Sequence, residues 1–344
     1  MINLKNAALK MMAEVDQAEV IDEESSNAPS LGDDHHNEKA VCLNISDFLS
    51  KQLPPREVML SPWLTMQSLF MIYAWRGIGK SWLALSLAYA AACGGVFLGW
   101  NAPKKRRVVF IDGELPAPTL QERLSLIVNS FDNEPDMDGF KILTPDLQPR
   151  GIMPNLSSPI GREMIDEHLQ ECDLIIIDNL STLCRGGKEN EGESWLPIQE
   201  WALKHRAQGR SIGFVHHAGK GGTQRGTSRK EDVLDTVISL RRPPEYDSSE
   251  GARFELHFEK ARNLTGDDAQ PLEIELCSNS TNIEWKFKPA SDVNLDRIEA
   301  LAADGASRQE IMAETGVSRF QLKRMIDKAR ESDRIIAIPD GRKK

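Results

Sequence analysis

The chain predicts an α/β protein: a mainly parallel β-sheet flanked by helices, followed by a small all-α C-terminal domain. Three observations carry that prediction. An apolar run at 68–73 enters a glycine-rich turn that ends in Gly79-Lys80-Ser81 and opens a helical stretch. From residue 46 to 289, short apolar runs alternate with helical stretches, which is the order of a parallel sheet. Beyond 290, Ser307 with Glu310 and Ser318 with Gln321 form two capping boxes, each marking a helix start. The 344 residues leave room for one large domain and a small accessory one.

Residues 1–45 come first and are polar. Within 1–40, nine acids stand against three lysines. This segment is expected to be a largely disordered acidic tail, with a short helix near 4–18, and His35-His36 reads as a solvated pair rather than a metal site. The other end is reversed in sign, with nine Lys/Arg against four acids in 318–344. A net charge of −10 excludes a protein that coats nucleic acid with its whole surface, but leaves room for a local basic loop or channel. Cys42, Cys93, Cys172, Cys184 and Cys277 are scattered without a Cys-x-x-Cys pair, which suits a reducing cytoplasm and excludes a disulfide framework. The polar start gives no sign of a signal peptide. Residues 81–102 carry no charged side chain and are long enough to cross a bilayer. They begin beside Lys80 and are broken by Gly94-Gly95, so a helix buried under the sheet is expected, and no membrane partner.

The turn itself reads Ala74-Trp75-Arg76-Gly77-Ile78-Gly79-Lys80-Ser81-Trp82. Backbone N–H groups from Gly77 to Ser81 can wrap a phosphate at the positive end of the helix dipole. Lys80 then reaches the β- and γ-phosphates and Ser81 holds Mg²⁺. Ala74 stands where the usual pattern begins with glycine. The plain alternative is a chance Gly-Lys-Ser in an ordinary turn, but the strand before it and the helix after it supply the context a phosphate loop needs. ATP and Mg²⁺ are the expected ligands, with nucleotide contacts from 75–82.

Further strands are expected at 107–111, 173–177, 211–215 and 236–240. Those at 253–259 and 272–276 alternate apolar with polar residues and read as an antiparallel hairpin on the sheet edge. Carboxylates follow two of the buried strands. Glu114 comes just past the second strand, where α/β sheets gather ligands, and can orient and deprotonate an attacking water. Asp178 ends the run Leu174-Ile175-Ile176-Ile177 and can hold Mg²⁺. Either acid alone is a common loop residue; their order behind a phosphate loop is the signal. His216 and His217 close the next strand as a metal site, a satisfied polar edge or a γ-phosphate sensor. The glycine-rich loop after them carries Lys220, Arg225, Arg229 and Lys230, a composition suited to nucleic-acid phosphates, or to a solvated loop.

In this order the elements resemble the RecA/DnaB-type ATPases, and most closely the RepA-like hexameric helicase ATPases of plasmids and mobile elements, the AAA_25 group. The residues that carry the resemblance are Leu53-Pro54-Pro55-Arg56-Glu57, the loop at 73–81, Phe97-Leu98-Gly99-Trp100, 110–114, 175–180, His216-His217 and Arg225-Gly226-Thr227-Ser228. The resemblance covers about residues 45–288. The resemblance implies a hexameric ring with ATP between neighbouring subunits. Lys260-Ala261-Arg262-Asn263 is similar to the Lys-x-Arg-Asn that such helicases insert into the adjacent site, which would make Lys260 and Arg262 catalytic in trans. Arg225 competes for the finger role, and edge-strand cations that block aggregation are the plain alternative. The resemblance also implies two channel loops. One, 184–197, holds Arg185 and Lys188 but also Glu189, Glu191 and Glu193. The other, 218–231, is the better site for single-stranded DNA.

Residues 290–344 read as a linker at 289–292 and then three short helices near 295–303, 309–315 and 320–330. Thr315-Gly316-Val317-Ser318 is a tight turn, so the last two helices look like a helix-turn-helix. Its final helix would offer Arg319, Gln321, Lys323, Arg324 and Lys328 to DNA, although such triplets also dock proteins. The expectation is an oligomeric DNA-acting ATPase, a replicative helicase of a plasmid, phage or mobile element. A non-translocating DNA-binding regulator and a recombinase-type filament are the alternatives.

Overall fold

Alternation along the buried strands decides where the layers go. The computed structural model describes residues 40–186, 195–219, 228–243, 245–262 and 264–331, with 336 and 338. In β3 (Leu69–Ala74), Phe70, Ile72 and Ala74 join one hydrophobic cluster while Leu69, Met71 and Tyr73 join another. β8 (Leu174–Asp178) does the same, with Leu174 and Ile176 on one side and Ile175 and Ile177 on the other. Strands apolar on both faces need a cover on both. α2 (Lys80–Cys93) and α3 (Ala117–Val128) cover the first face; α4 (Pro159–Asp166) and α6 (Leu196–Ala207) cover the second.

The chain divides into two units between Pro55 and Arg56. Of the first, the described part contains α1 (Ile45–Ser50), whose N-cap Asn44 accepts a hydrogen bond from Asp47 N at 2.9 Å. The helix expected near 4–18 and the His35-His36 pair lie outside the described residues.

The second unit carries the sheet. Its remaining strands are β6 (Val108–Asp112), β7 (Phe140–Leu143), β9 (Ser211–His217), β10 (Thr236–Arg241), β11 (Arg253–Ala261), β12 (Leu272–Ser278) and β13 (Ile283–Pro289). Among the described residues they form a nine-stranded sheet in the order β13-β12-β11-β10-β3-β9-β8-β6-β7. The block from β10 to β7 is parallel throughout, and β11, β12 and β13 extend it antiparallel. The predicted hairpin is thus present, widened by β13, and β7 closes the opposite edge. Neither β13 nor β7 was expected. Two small pairs, β1 (Val58–Leu60) with β2 (Leu64–Thr65) and β4 (Val96–Phe97) with β5 (Trp100–Asn101), flank the sheet.

The uncharged stretch at 81–102 is α2, a turn at Gly94 (φ +66) and the β4–β5 pair. Among the described residues, no helix is long and apolar enough to cross a membrane. Gly213 in β9 marks a close approach: a Cβ there would stand 2.2 Å from Phe70 Cζ and 2.8 Å from Ile176 Cδ1. Gly213→Ala is expected to cost about 1–3 kcal/mol by overpacking, seen as a lower thermal midpoint. An unchanged midpoint would mean that this core yields.

No linker precedes the C-terminal helices. α7 (Ala290–Ala303) begins where β13 ends, with Pro289 as its N-cap, and Ala290 N donates to Pro271 O at 2.8 Å. The expected break at 289–292 was inferred from a proline that instead fixes the strand-to-helix turn. α8 (Arg308–Thr315) and α9 (Arg319–Glu331) follow, and Ile298, Ile311, Leu322 and Ile326 form the shared core of the three helices. Both predicted capping boxes form.

Candidate nucleotide site

The loop between β3 and α2 needs glycine where the backbone turns left-handed. Gly77 has φ +73 and Gly79 φ +116, and a Cβ on Gly79 would press on Ala252 at 3.0 Å and on Phe254. The turn presents the first N–H groups of α2, which have no carbonyl partner within the helix. Lys80 is buried and donates to Ala74 O at 3.2 Å and Trp75 O at 2.7 Å, so its ammonium lies folded along the loop. Burial lowers its pKa to about 8 against the pull of Asp178 and Glu114, and nearby Arg76 lowers it further. Trp75, Arg76 and Gly77 are exposed on the lip, Ile78 is buried beneath it, and Ser81 and Trp82 are half-buried at the helix start.

Parallel register sets the acids. Asp112 of β6 and Asp178 of β8 are partnered across the sheet, so two buried carboxylates stand side by side at the carboxyl ends of their strands. Burial pushes Asp112 up to about 7, helped by the charge of Asp178. Asp178 rises to about 6, also by burial, against the lowering effect of the Ser81 hydrogen bond and of Lys80. Asp112 Oδ2 accepts from Leu115 N at 2.9 Å and Glu114 N at 3.3 Å. Asp112 Oδ1 and Asp178 Oδ2 are buried without a hydrogen-bond partner among the described residues. Unpartnered buried carboxylate oxygens next to a serine hydroxyl are hard oxygen donors of the kind Mg²⁺ takes, so these residues fit the ion.

Glu114 projects from the β6 end and is exposed. Asn179 Nδ2 donates to its Oε2 at 2.5 Å, while Asn179 Oδ1 accepts from Thr182 N at 3.3 Å and caps α5 (Leu180–Leu183). One amide therefore ties the β6 loop to the β8 loop. Gly113 N donates to Asp178 O at 2.7 Å, and a Cβ on Gly113 would stand 2.4 Å from Thr182 Oγ1. Glycine alone permits that approach. His217 Nε2 lies 3.9 Å from Glu114 Oε2, and His216 Nε2 lies 3.2 Å from Lys230 Nζ. Both histidines are buried at the end of β9, between β3 and β8. No three His, Cys, Asp or Glu among the described residues gather into a metal-binding group.

Several expected DNA contacts are placed otherwise. Lys230 is only 5% exposed, turned inward against His216, and cannot meet DNA as a surface cation in this conformation. Lys188, Lys220, Arg225 and the side chains of Arg229 and Lys328 lie outside the described residues. Arg185 donates to Met153 O and so braces its own loop. Gln321 spends its Oε1 on Ser318 N at 2.8 Å, capping α9 rather than reaching outward. Arg319, Lys323 and Arg324 are exposed, and Arg308, Arg319, Lys323 and Arg330 line a groove of about 640 Å³ between α8 and α9.

Lys260 and Arg262 stand at the far end of the sheet. Ala261 pairs with Thr236 and Thr236 with Phe70, at the starting ends of β10 and β3, whereas the phosphate loop leaves the finishing end at Ala74. At roughly 3.3 Å per residue the length of β3 separates them by some 17 Å. Lys260 Nζ donates to Glu231 O and to Asp232 O at 3.4 Å; Arg262 Nη2 donates to Asp232 O at 3.2 Å.

Four residues at the site escaped the sequence reading. Asp112 and Asn179 are described above. Arg123 of α3 lies over the Trp82 ring at 5.0 Å, within the field of Asp178 and Asp112. Arg242 Nη2 donates to Gly77 O at 3.0 Å, its Nη1 donates to Gly251 O and Arg253 O, and its guanidinium covers the Tyr246 ring at 3.7 Å. Arg253 pairs with Glu245 at 2.9 Å; Glu245 also pairs with Arg297 of α7, which faces Glu314 of α8 at 3.8 Å. Asp112 alone had a visible signal, an acid ending an apolar run as Asp178 does.

Among known proteins, a family model for an AAA domain, AAA_25, matches residues 36–223. The crystal structure of a KaiC-like protein from the hyperthermophilic archaeon Pyrococcus horikoshii OT3 is similar at 15% identity and a TM-score of 0.46, over 66% of this chain and 93% of that one. No curated protein matches the sequence. Since the family match covers more than half of its length, the chain belongs to the AAA_25 family of AAA domains.

Proposed function

We propose that the chain hydrolyses ATP as an oligomer, a hexamer in the closed-ring form, and couples hydrolysis to movement on DNA as a RepA-like replicative helicase of a plasmid, phage or mobile element. The observation that carries this reading is the separation of the machinery. The phosphate loop and its acids occupy one end of the sheet, and the Lys260–Arg262 pair the other, too far to serve the same bound nucleotide. A neighbouring copy brings the two ends together.

Within one pocket the N–H groups of 77–81 and Lys80 hold the triphosphate. Glu114, steadied by Asn179, orients a water and takes its proton as the water oxygen bonds to the γ-phosphorus and the bond to the ADP oxygen breaks. Ser81 and Asp178, with Asp112 beside them, are the residues that would hold Mg²⁺, whose charge shields the phosphate oxygens during transfer. His217, beside Glu114, and His216, against Lys230, connect the γ-phosphate position to the loop at 218–230, where Lys220, Arg225 and Arg229 are the DNA contacts. Lys260 and Arg262 of the next copy steady the charge that builds on the leaving group.

Arg262→Ala is expected to lower turnover by about 10³-fold or more, and mixing it with Lys80→Ala protein to restore activity, since mixed interfaces hold one intact pocket and one intact finger. No gain on mixing would refute hydrolysis between copies. A second reading is a regulator that holds duplex DNA without moving. It is favoured by the cationic groove between α8 and α9, which suits a duplex backbone. ATP-driven strand displacement supports the motor; tight duplex binding without displacement supports the regulator.

A further inference from the structure

We infer that the groove containing Arg262 is a polyphosphate-receiving site, and that Arg206 touches the triphosphate presented there by a second copy of the chain. This deepens the reading that ATP is cleaved between copies and rests on it. The groove, about 510 Å³, is lined by Arg56, Gln67, Arg206, Asp235 and Arg262 with the wall residues Leu203 and Ala207.

Two of its three guanidiniums are already engaged. Arg56 donates to Met66 O at 2.8 Å, to Gln67 O and to Ser68 Oγ at 2.9 Å, and faces Asp235 at 3.7 Å. Arg262 donates to Asp232 O and faces Asp235 at 3.8 Å. Arg206, half-buried in the last turn of α6, has no hydrogen bond or ion pair on its guanidinium among the described residues. Its neighbours are drawn elsewhere: His205 lies 3.0 Å from Asp166 and Lys204 3.8 Å from it.

A helix dipole favours cations in a last turn, and that accounts for a basic Lys204-His205-Arg206 run. It does not account for a third arginine lining a groove in which two guanidiniums already share one carboxylate. Asp235 is the groove's only acid among the described residues, and it also accepts from Leu69 N at 2.9 Å. Like charges gathered on a concave, half-buried surface are costly until an anion arrives, and several phosphate oxygens can satisfy several guanidiniums at once. The rim is also pre-set. Gln67 holds φ +60, a left-handed conformation that costs an L-residue roughly 1–2 kcal/mol, and its carbonyl is pinned by Arg56. The chain's own phosphate loop lies at the opposite end of the sheet, so the phosphates come from a neighbour or from free solution.

The test is turnover of assembled Arg206→Ala and Arg206→Lys proteins, alone and mixed with Lys80→Ala, beside Arg262→Ala controls. Arg206→Ala is expected to lose on the order of 10²-fold in turnover, to keep its thermal midpoint, to be partly rescued as lysine, and to regain activity on mixing. Wild-type turnover in Arg206→Ala, with Arg262→Ala still defective and restored by mixing, overturns this inference and leaves shared hydrolysis standing. Failure of mixing to restore either variant overturns both. In a separate arm, tripolyphosphate is titrated into dilute Lys80→Ala protein. Binding there that disappears in the Lys80→Ala/Arg206→Ala double variant would assign the groove to a free anion and overturn the role of the second copy.

Discussion

Glu114→Gln should give a protein that binds ATP and turns it over about 10²–10⁴-fold more slowly. The amide keeps the shape of the side chain and loses its capacity to accept a proton. Its surroundings support an isolated effect: Glu114 is exposed, touches the fold through Asn179 and His217, and leaves the buried Asp112–Asp178 pair in place. The measurement is single-turnover hydrolysis together with equilibrium binding of a fluorescent ATP analogue. Retained hydrolysis would move the proton acceptor elsewhere, and Asp112, whose pKa is raised to about 7 and whose Oδ2 accepts from Glu114 N, is a carboxylate at hand.

The second large effect is at Lys80. Lys80→Ala should weaken ATP binding by about 100-fold, since a charge-assisted contact of roughly 1.5–3 kcal/mol per hydrogen bond is lost, and turnover should fall below detection. The unliganded protein should be no less stable for the change. The ammonium is buried and its charged form is disfavoured there, compensated by two carbonyls of the loop, so its removal relieves a desolvation cost. Differential scanning calorimetry without nucleotide and binding measurements with it separate the two statements. Unchanged affinity would remove the phosphate loop from the argument.

What the sequence revealed and what it hid follow one rule: short-range signals were legible and cross-strand contacts were not. The phosphate loop, Asp178 and Glu114 are local, an apolar run followed by a particular residue, and they could be read directly. β13 has a clean Ile-Glu-Trp-Lys-Phe-Lys alternation, yet the proline that follows was taken for a linker. β7 is four residues with a lysine in the middle, too short and too polar to register. Asn179, Arg123 and Arg242 act on partners 65, 41 and 165 positions away in the sequence, distances at which one chain without relatives offers no pattern. Lys230 shows the opposite error. In a glycine-rich basic loop a lysine reads as solvated, but the 3₁₀ turn at Ser228–Glu231 folds it inward onto His216. Arg206 drew no notice in the sequence; only the fold sets it in one groove with Arg56 and Arg262.

The seat of Gly77 has a wider reach than the loop it steadies. Arg242 holds the Gly77 carbonyl, Arg242 and Arg253 share the 245–251 turn, and Glu245 in that turn grips Arg297 on the first of the terminal helices. Two ionic links and a hydrogen-bonded arginine thus form a continuous physical route from those helices to the cradle of the nucleotide. Thermodynamic reciprocity then runs both ways: whatever factor a load on the tail applies to ATP affinity, ATP applies to the tail's hold on that load.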